Sequence, residues 1–214
     1  MTSIARINKN DQNLMYRTLD RGVQGIVVPN VQTKAEAENV VQGCYYQPIG
    51  MRGVFTSRQG SGVADFHDVV NAEVLTVVLL ENVPALDANL DEILTVEHID
   101  VFMVTTGDLA QSMGLLSDRA NPKVIAKQAR PPPSPPLSFC PVRWRRYSLR
   151  ERCACCVQDE YLRKIIAAGK TAGAIAIHPG DVAHLKELGV QLLWTSIGAW
   201  LEKSAAEYLA AAKL

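Results

Sequence analysis

Short, almost wholly apolar runs alternate along the chain with longer stretches in which apolar residues recur every three to four positions. Runs of the first kind lie at 3–7, 25–29, 74–80, 99–104, 172–177 and 190–197. Gly25-Ile26-Val27-Val28-Pro29 and Leu75-Thr76-Val77-Val78-Leu79-Leu80 are representative. A strand that is apolar at every position is buried on both faces, as in a parallel sheet covered by helices. The periodic stretches predict helices. One is opened by Asn10-Asp11, runs through Leu14, Met15 and Leu19, and stops at Gly22. Another opens at Thr33 and carries Ala35, Ala37, Val40 and Val41. Others are expected over 65–71, 86–96, 115–127 and 181–188, with an Ala-rich helix from Ala199 closing the chain. Six strands alternating with helices define an α/β protein with parallel strands. Six strands complete a doubly wound sheet, whereas an eight-stranded barrel needs two more.

The chemistry concentrates in 75–108, a βαβ unit with a carboxylate at the end of each strand, Glu81 and Asp108. In parallel α/β architectures, ligands collect at the C-terminal ends of the strands. Two neighbouring carboxylates repel unless one is protonated or a cation lies between them. Hard divalent ions such as Mg²⁺ or Mn²⁺ are held in this way. A structural reading competes: Asp108-Leu109-Ala110-Gln111 fits a helix capping box, and Glu81 could be a solvated strand exit. Spacing does not choose between them. The loop Pro48-Ile49-Gly50-Met51-Arg52-Gly53 is equally two-sided, a plain turn or a place where Arg52 meets an anion.

Composition narrows the field. Lys plus Arg and Asp plus Glu number 22 each, so no global charge points to nucleic acid or a membrane surface. No apolar run reaches the roughly 18 residues of a membrane span. Five cysteines, four of them within 140–156, do not form a secreted disulfide framework. The start of the chain reads directly into a strand, and a cytoplasmic protein is expected.

Residues 128–158 are unlike their surroundings. Pro131-Pro132-Pro133-Ser134-Pro135-Pro136 is followed by Arg143-Trp144-Arg145-Arg146 and Cys153-Ala154-Cys155-Cys156. A polyproline segment neither continues a helix nor pairs in a sheet, so a disordered insertion is expected between a domain formed by 1–127 and 159–214. A docking ligand, a cysteine metal knot and a basic anchor are weaker readings, and the cysteines lack paired zinc spacing and a nearby histidine. Excising it joins Lys127 to Asp159 in one amphipathic helix ending at Gly169, the pattern of translated non-coding sequence. A message retaining the segment in every growth state would contradict that reading.

A series of motifs carries a family resemblance. They are Arg6-Ile7-Asn8-Lys9-Asn10-Asp11, Leu19-Asp20-Arg21-Gly22, Gly25-Ile26-Val27-Val28-Pro29-Asn30-Val31-Gln32 and Gly50-Met51-Arg52-Gly53. The series continues with the Glu81 strand, Gly107-Asp108-Leu109-Ala110-Gln111-Ser112-Met113-Gly114 and Gly169-Lys170-Thr171-Ala172-Gly173. In this order they resemble the HpcH/HpaI aldolases, metal-dependent enzymes that cleave 4-hydroxy-2-oxo acids to pyruvate and an aldehyde. The citrate lyase β-type and malyl-CoA-type lyases are related. The resemblance implies a TIM (β/α)₈ barrel, here incomplete and beginning at the third strand, and a homo-oligomer in which the last helix packs on a neighbour. Glu81 and Asp108 would hold the divalent metal (Mg²⁺, Mn²⁺ or Co²⁺). Arg6 would bind the ketone oxygen of a 2-oxo acid and stabilise its enolate, and Gly107 would lie in the loop receiving the carboxylate. The chain departs from the family in three respects. The catalytic histidine after the second barrel strand is absent, leaving His178 as a substitute base. Leu79 stands where a glutamine is frequent, and Thr105-Thr106 replaces a Gly-Pro type turn. A non-catalytic protein that binds metal and 2-oxo acid, or other subunits, is therefore the rival expectation.

Overall fold

A computed structural model describes residues 2–54, 58–114, 154–177 and 179–212. Six parallel strands form one sheet: β1 (Ile4–Arg6), β2 (Gly25–Val28), β3 (Leu75–Leu80), β4 (Val101–Val104), β5 (Ala172–Ile175) and β6 (Leu192–Trp194). Each of the expected apolar runs supplies one strand. Their order in space is their order in sequence, β1 to β6. A doubly wound sheet reverses direction at a switch point, whereas a barrel wall adds each strand beside the last. The sheet is thus an open half-barrel. Its outer strands leave Ile4 43% and Trp194 38% exposed.

The reason the strands are apolar throughout is visible in two layers. Ile26, Val28, Val78, Leu80, Phe102 and Val104 face the helices and pack with Met15, Val40, Leu86 and Ile165. The alternating residues Val27, Val77, Leu79, Val101 and Met103 form a second cluster made of strand residues alone. Leu79, at a position where glutamine was considered, belongs to this cluster and is 2% exposed.

Among the described residues the helices are α1 (Gln12–Leu19), α2 (Lys34–Cys44), α3 (Phe66–Glu73), α4 (Leu90–Ile93), α5 (Thr106–Ser112), α6 (Ala154–Ala167), α7 (Pro179–Leu188) and α8 (Ile197–Ala211). Asp11 caps α1 through Leu14 N–H, and α1 gives way to a turn ending at Gly22, whose φ of 107° suits glycine. Thr33 and Glu36 make a reciprocal capping box at α2. The single helix expected over 86–96 is instead two pieces, a π-type turn at Pro84–Ala88 and the short α4. Pro84 and Asn89 punctuate the stretch, and the apolar period continues across the break through buried Leu86, Leu90 and Ile93.

Helix α6, described from Ala154, includes residues of the stretch expected to be irregular, and Val157 and Gln158 are buried there. Gln158 donates to the Val104 carbonyl at 2.7 Å, and the Tyr161 hydroxyl donates to Asp87. Residues 154–158 are thus helical. The rest of 128–158, and the helix expected over 115–127, fall on residues outside the description. Among the described residues no helix is long and apolar enough to cross a membrane.

Candidate functional site

The C-terminal ends of β1 to β4 open into a cleft of about 400 Å³. Arg6 closes β1, Glu81 follows β3, and Asp108 lies in the first turn of α5 after β4; all three line the cleft. Asn8, Asn30, Asn82, Gln111 and Ser112 supply the neutral polar part of the wall. Gly107 is the second residue of α5, whose first-turn N–H groups have no partner within the helix. It is not part of the wall around Arg6, Glu81 and Asp108. His178 lies outside the described residues.

Glu81 is not a solvated strand exit. It is 6% exposed, and each carboxylate oxygen takes one hydrogen bond. The Asn30 N–H donates to Oε1 at 2.9 Å, and the Thr105 hydroxyl donates to Oε2 at 3.3 Å. Burial, and next the Asp108 charge, push the Glu81 carboxyl above its ordinary value; the Asn30 N–H, Arg6 and Thr105 pull the other way. Asp108 does not cap its helix. Thr105 is the N-cap residue, and the Asp108 carboxylate makes no hydrogen bond or ion pair within the described residues. Thr105, a departure from the family's turn, thus has a local use beside Glu81.

A divalent hard cation fits this donor set. Two carboxylates on adjacent strand exits repel each other, and neither is neutralised by an ion pair among the described residues. The described residues hold no group of three or more His, Cys, Asp or Glu side chains suited to a metal. The chain therefore offers two carboxylates, the number with which Mg²⁺-type ions are bound when water and substrate oxygens complete the shell.

Arg52 is elsewhere. It is buried, donates to Asp20 at 2.7 Å and stacks over the Tyr46 ring at 4.7 Å. A Cβ at Gly50 would meet the Val41 and Tyr45 carbonyls at 2.5 and 2.6 Å, so the glycine serves close packing on the end of α2. The anion-contact alternative for this loop is withdrawn. Asn30, Asn82 and Thr105 had no part in the expected site. Asn30 alone left a trace, an Asn after Pro at a strand exit, where a left-handed residue is tolerated.

The HpcH/HpaI aldolase/citrate lyase family model matches residues 1–178. The chain is 30% identical over 212 residues to the hydroxypyruvate/pyruvate aldolase of Cupriavidus necator, covering 97% of this chain and 67% of that protein. It is 29% identical over 212 residues to the protein of the same description from Deinococcus radiodurans, covering 97% and 65%. With the 5-keto-4-deoxy-D-glucarate aldolase of Shigella boydii it shares 33% identity over 124 residues, 56% of this chain and 48% of that protein. The chain thus spans about half to two thirds of the length of these curated relatives. Among solved structures, the HpcH/HpaI aldolase of Desulfitobacterium hafniense superposes with a TM-score of 0.75 at 22% identity, covering 100% of this chain and 73% of that one. A family protein from Burkholderia cenocepacia gives 0.74 at 21% identity, covering 99% and 73%. The half-barrel corresponds to part of that fold.

Proposed function

The chain belongs to the HpcH/HpaI aldolase/citrate lyase family, and on that premise we propose that it is a carbon–carbon lyase. Its reaction would be the divalent-metal-dependent aldol cleavage of 4-hydroxy-2-oxo acids to pyruvate and an aldehyde. The observation carrying this reading is the buried Glu81, set against Asp108 in a cleft that also holds Arg6. A divalent ion (Mg²⁺, Mn²⁺ or Co²⁺) held by Glu81 and Asp108 would supply Lewis acidity toward the 2-oxo acid carbonyl.

The chain's own groups do the rest. Arg6 makes no ion pair among the described residues, so its guanidinium is free to face a substrate oxygen. A fixed cation there stabilises the negative charge that develops on the enolate oxygen as the bond breaks. Gly107 is outside the described cleft wall, and its first-turn N–H would reach the substrate carboxylate only if the substrate extends past Asp108. Cleavage also needs a base for the 4-hydroxyl proton. The described wall of the cleft contains no histidine, which keeps the non-catalytic reading in play.

Helix α8 supports the expectation of a homo-oligomer. Ile197, Trp200, Leu201, Tyr208 and Leu209 follow a helical stripe and are exposed by 70, 55, 63, 73 and 48%. A neighbouring copy would cover them, and sedimentation of the purified chain reads this; a monomer sinks it. The balanced charge and clustered cysteines favour a cytoplasmic setting.

Calorimetric titration of oxalate, a mimic of the pyruvate enolate, tests the site. Binding should require Mn²⁺ and disappear in Glu81→Ala. Oxalate binding unaffected by Glu81→Ala, or none by a folded chain, overturns the proposal. Binding without turnover of any 4-hydroxy-2-oxo acid would favour the non-catalytic reading.

A further inference from the structure

Pro29 has no N–H, and the next four residues each direct theirs to a definite partner. The Asn30 N–H donates to Glu81 Oε1 at 2.9 Å, and that of Val31 to the Leu79 carbonyl at 3.2 Å. Those of Gln32 and Thr33 donate to Glu36 Oε2 at 2.6 and 3.2 Å. Three of the four go to the sheet or to the α2 capping box, which secures the segment as scaffold. Only the Asn30 donor is directed to a carboxylate of the cleft.

The backbone explains how. The paired register of β2 and β3 ends at Val28 opposite Val78, and Val31 bonds β3 again beyond it. Asn30 lies on the bulge between, with φ 55°, a left-handed conformation that asparagine tolerates better than other side chains. Its side chain then secures the bulge. Asn30 Oδ1 accepts from Asn82 Nδ2 at 2.8 Å and from Gln32 Nε2 at 3.1 Å. Both partners are themselves tied down: Asn82 Oδ1 accepts from the Ala85 N–H at 3.0 Å, and the Gln32 carbonyl accepts from Asn89 Nδ2 at 2.8 Å. The Asn30 amide is thus clamped from the loops after both β2 and β3.

We propose that Asn30 is a positioning residue for the cation site: its clamped left-handed backbone aims one N–H at Glu81 Oε1 and fixes the carboxylate's orientation toward Asp108. The inference rests on the reading of Glu81 as a cation ligand. A carboxylate has about four lone-pair sites. One donor on each oxygen restrains the rotamer and leaves lone pairs for an ion. Without the Asn30 donor, a buried carboxylate beside a like charge turns away from Asp108, and the two cease to converge on one ion.

The test is Mn²⁺ affinity, by calorimetry or by loss of the free-ion paramagnetic signal, measured on the full chain with the thermal unfolding midpoint in parallel. Asn30→Val loses both the clamp and the tolerance for a positive φ. Its Mn²⁺ dissociation constant should rise about tenfold or more, as for loss of an outer-shell partner of a metal ligand. Asn30→Gly keeps the conformation and the N–H but not Oδ1, and should fall between parent and Asn30→Val. A merely structural role would lower the midpoint and leave the affinity of the folded protein within about twofold, which would overturn the proposal. Should Asn30→Val not fold, Asn30→Gly decides: weakening by about threefold or more supports positioning, and less overturns it. A parent that binds no Mn²⁺, or a Glu81→Ala variant that binds as tightly, removes the site reading and this inference together. Parent binding lost in Glu81→Ala but untouched at Asn30 removes this inference alone.

Discussion

The two ends of the sheet treat their carboxylates in opposite ways. At the N-terminal end, Asp20 is held at 2.7 Å by Arg52, whose side chain is 3% exposed. Nearby, Asp100 Oδ2 accepts from the Thr76 N–H at 2.6 Å and the Thr76 hydroxyl at 2.9 Å, with the Tyr45 hydroxyl at 3.5 Å. At the C-terminal end, Glu81 has one donor per oxygen, Asp108 has none among the described residues, and Arg6 is not ion-paired to either. The first arrangement is complete within the chain. The second is short of positive charge, which the divalent cation proposed for Glu81 and Asp108 would supply. On the proposed function, closely similar groups would serve stability at one end of a barrel wall and chemistry at the other.

Exchanging the arginines should separate the two ends most widely. Arg52→Ala leaves Asp20 without its cation and removes the guanidinium from Tyr46. Breaking a buried pair from one side costs about 3–5 kcal/mol, read as a lower urea midpoint. Arg6→Ala, on an exposed side chain, should change stability by no more than about 0.5 kcal/mol while abolishing Mn²⁺-dependent oxalate binding. Equal stability losses would erase the contrast. Next in size is Thr76→Val, which removes the one hydroxyl proton that the Asp100 carboxylate and the His98 carbonyl both face at 2.9 Å. A loss of about 1–3 kcal/mol is expected, with Mn²⁺ affinity unchanged in the folded protein. Weakened Mn²⁺ binding would show that the two ends are coupled.

The same contrast separates what could be read in the sequence from what could not. Strands buried on both faces announce themselves as continuous apolar runs, and six runs gave six strands. Glu81 and Asp108 were singled out because strand ends are where parallel folds place chemistry, and Arg6 through the family resemblance; the structure brings the three to one cleft. Arg52 stayed two-sided because a glycine-flanked arginine looks alike whether it meets a ligand or its own Asp20, 32 residues earlier. The contact of Asn30 with Glu81 spans 51 residues and uses a backbone N–H, which side-chain identity does not report. The break at 84–93 was missed because the apolar period survives a π-type turn.

The smallest effect is the most direct reading of incompleteness. Burial first, and then the Asp108 charge, raise the Glu81 pKa in the folded chain above the ordinary 4.5. A carboxyl with a raised folded pKa favours the fold in its protonated form. That contribution is whole below the unfolded value and is lost as pH rises through the folded one. Glutamine carries no charge at any pH. Metal-free parent and Glu81→Gln should therefore unfold at similar temperatures near pH 4 and diverge above it, the variant becoming the more stable. At pH 8 the variant should have the higher unfolding midpoint. Saturating Mn²⁺ should reverse the order by stabilising the parent alone, since an ion that binds only the folded state raises its stability. A metal-free variant no more stable than the parent at pH 8 would mean that Glu81 is already compensated, and the difference between the two ends of the sheet would disappear.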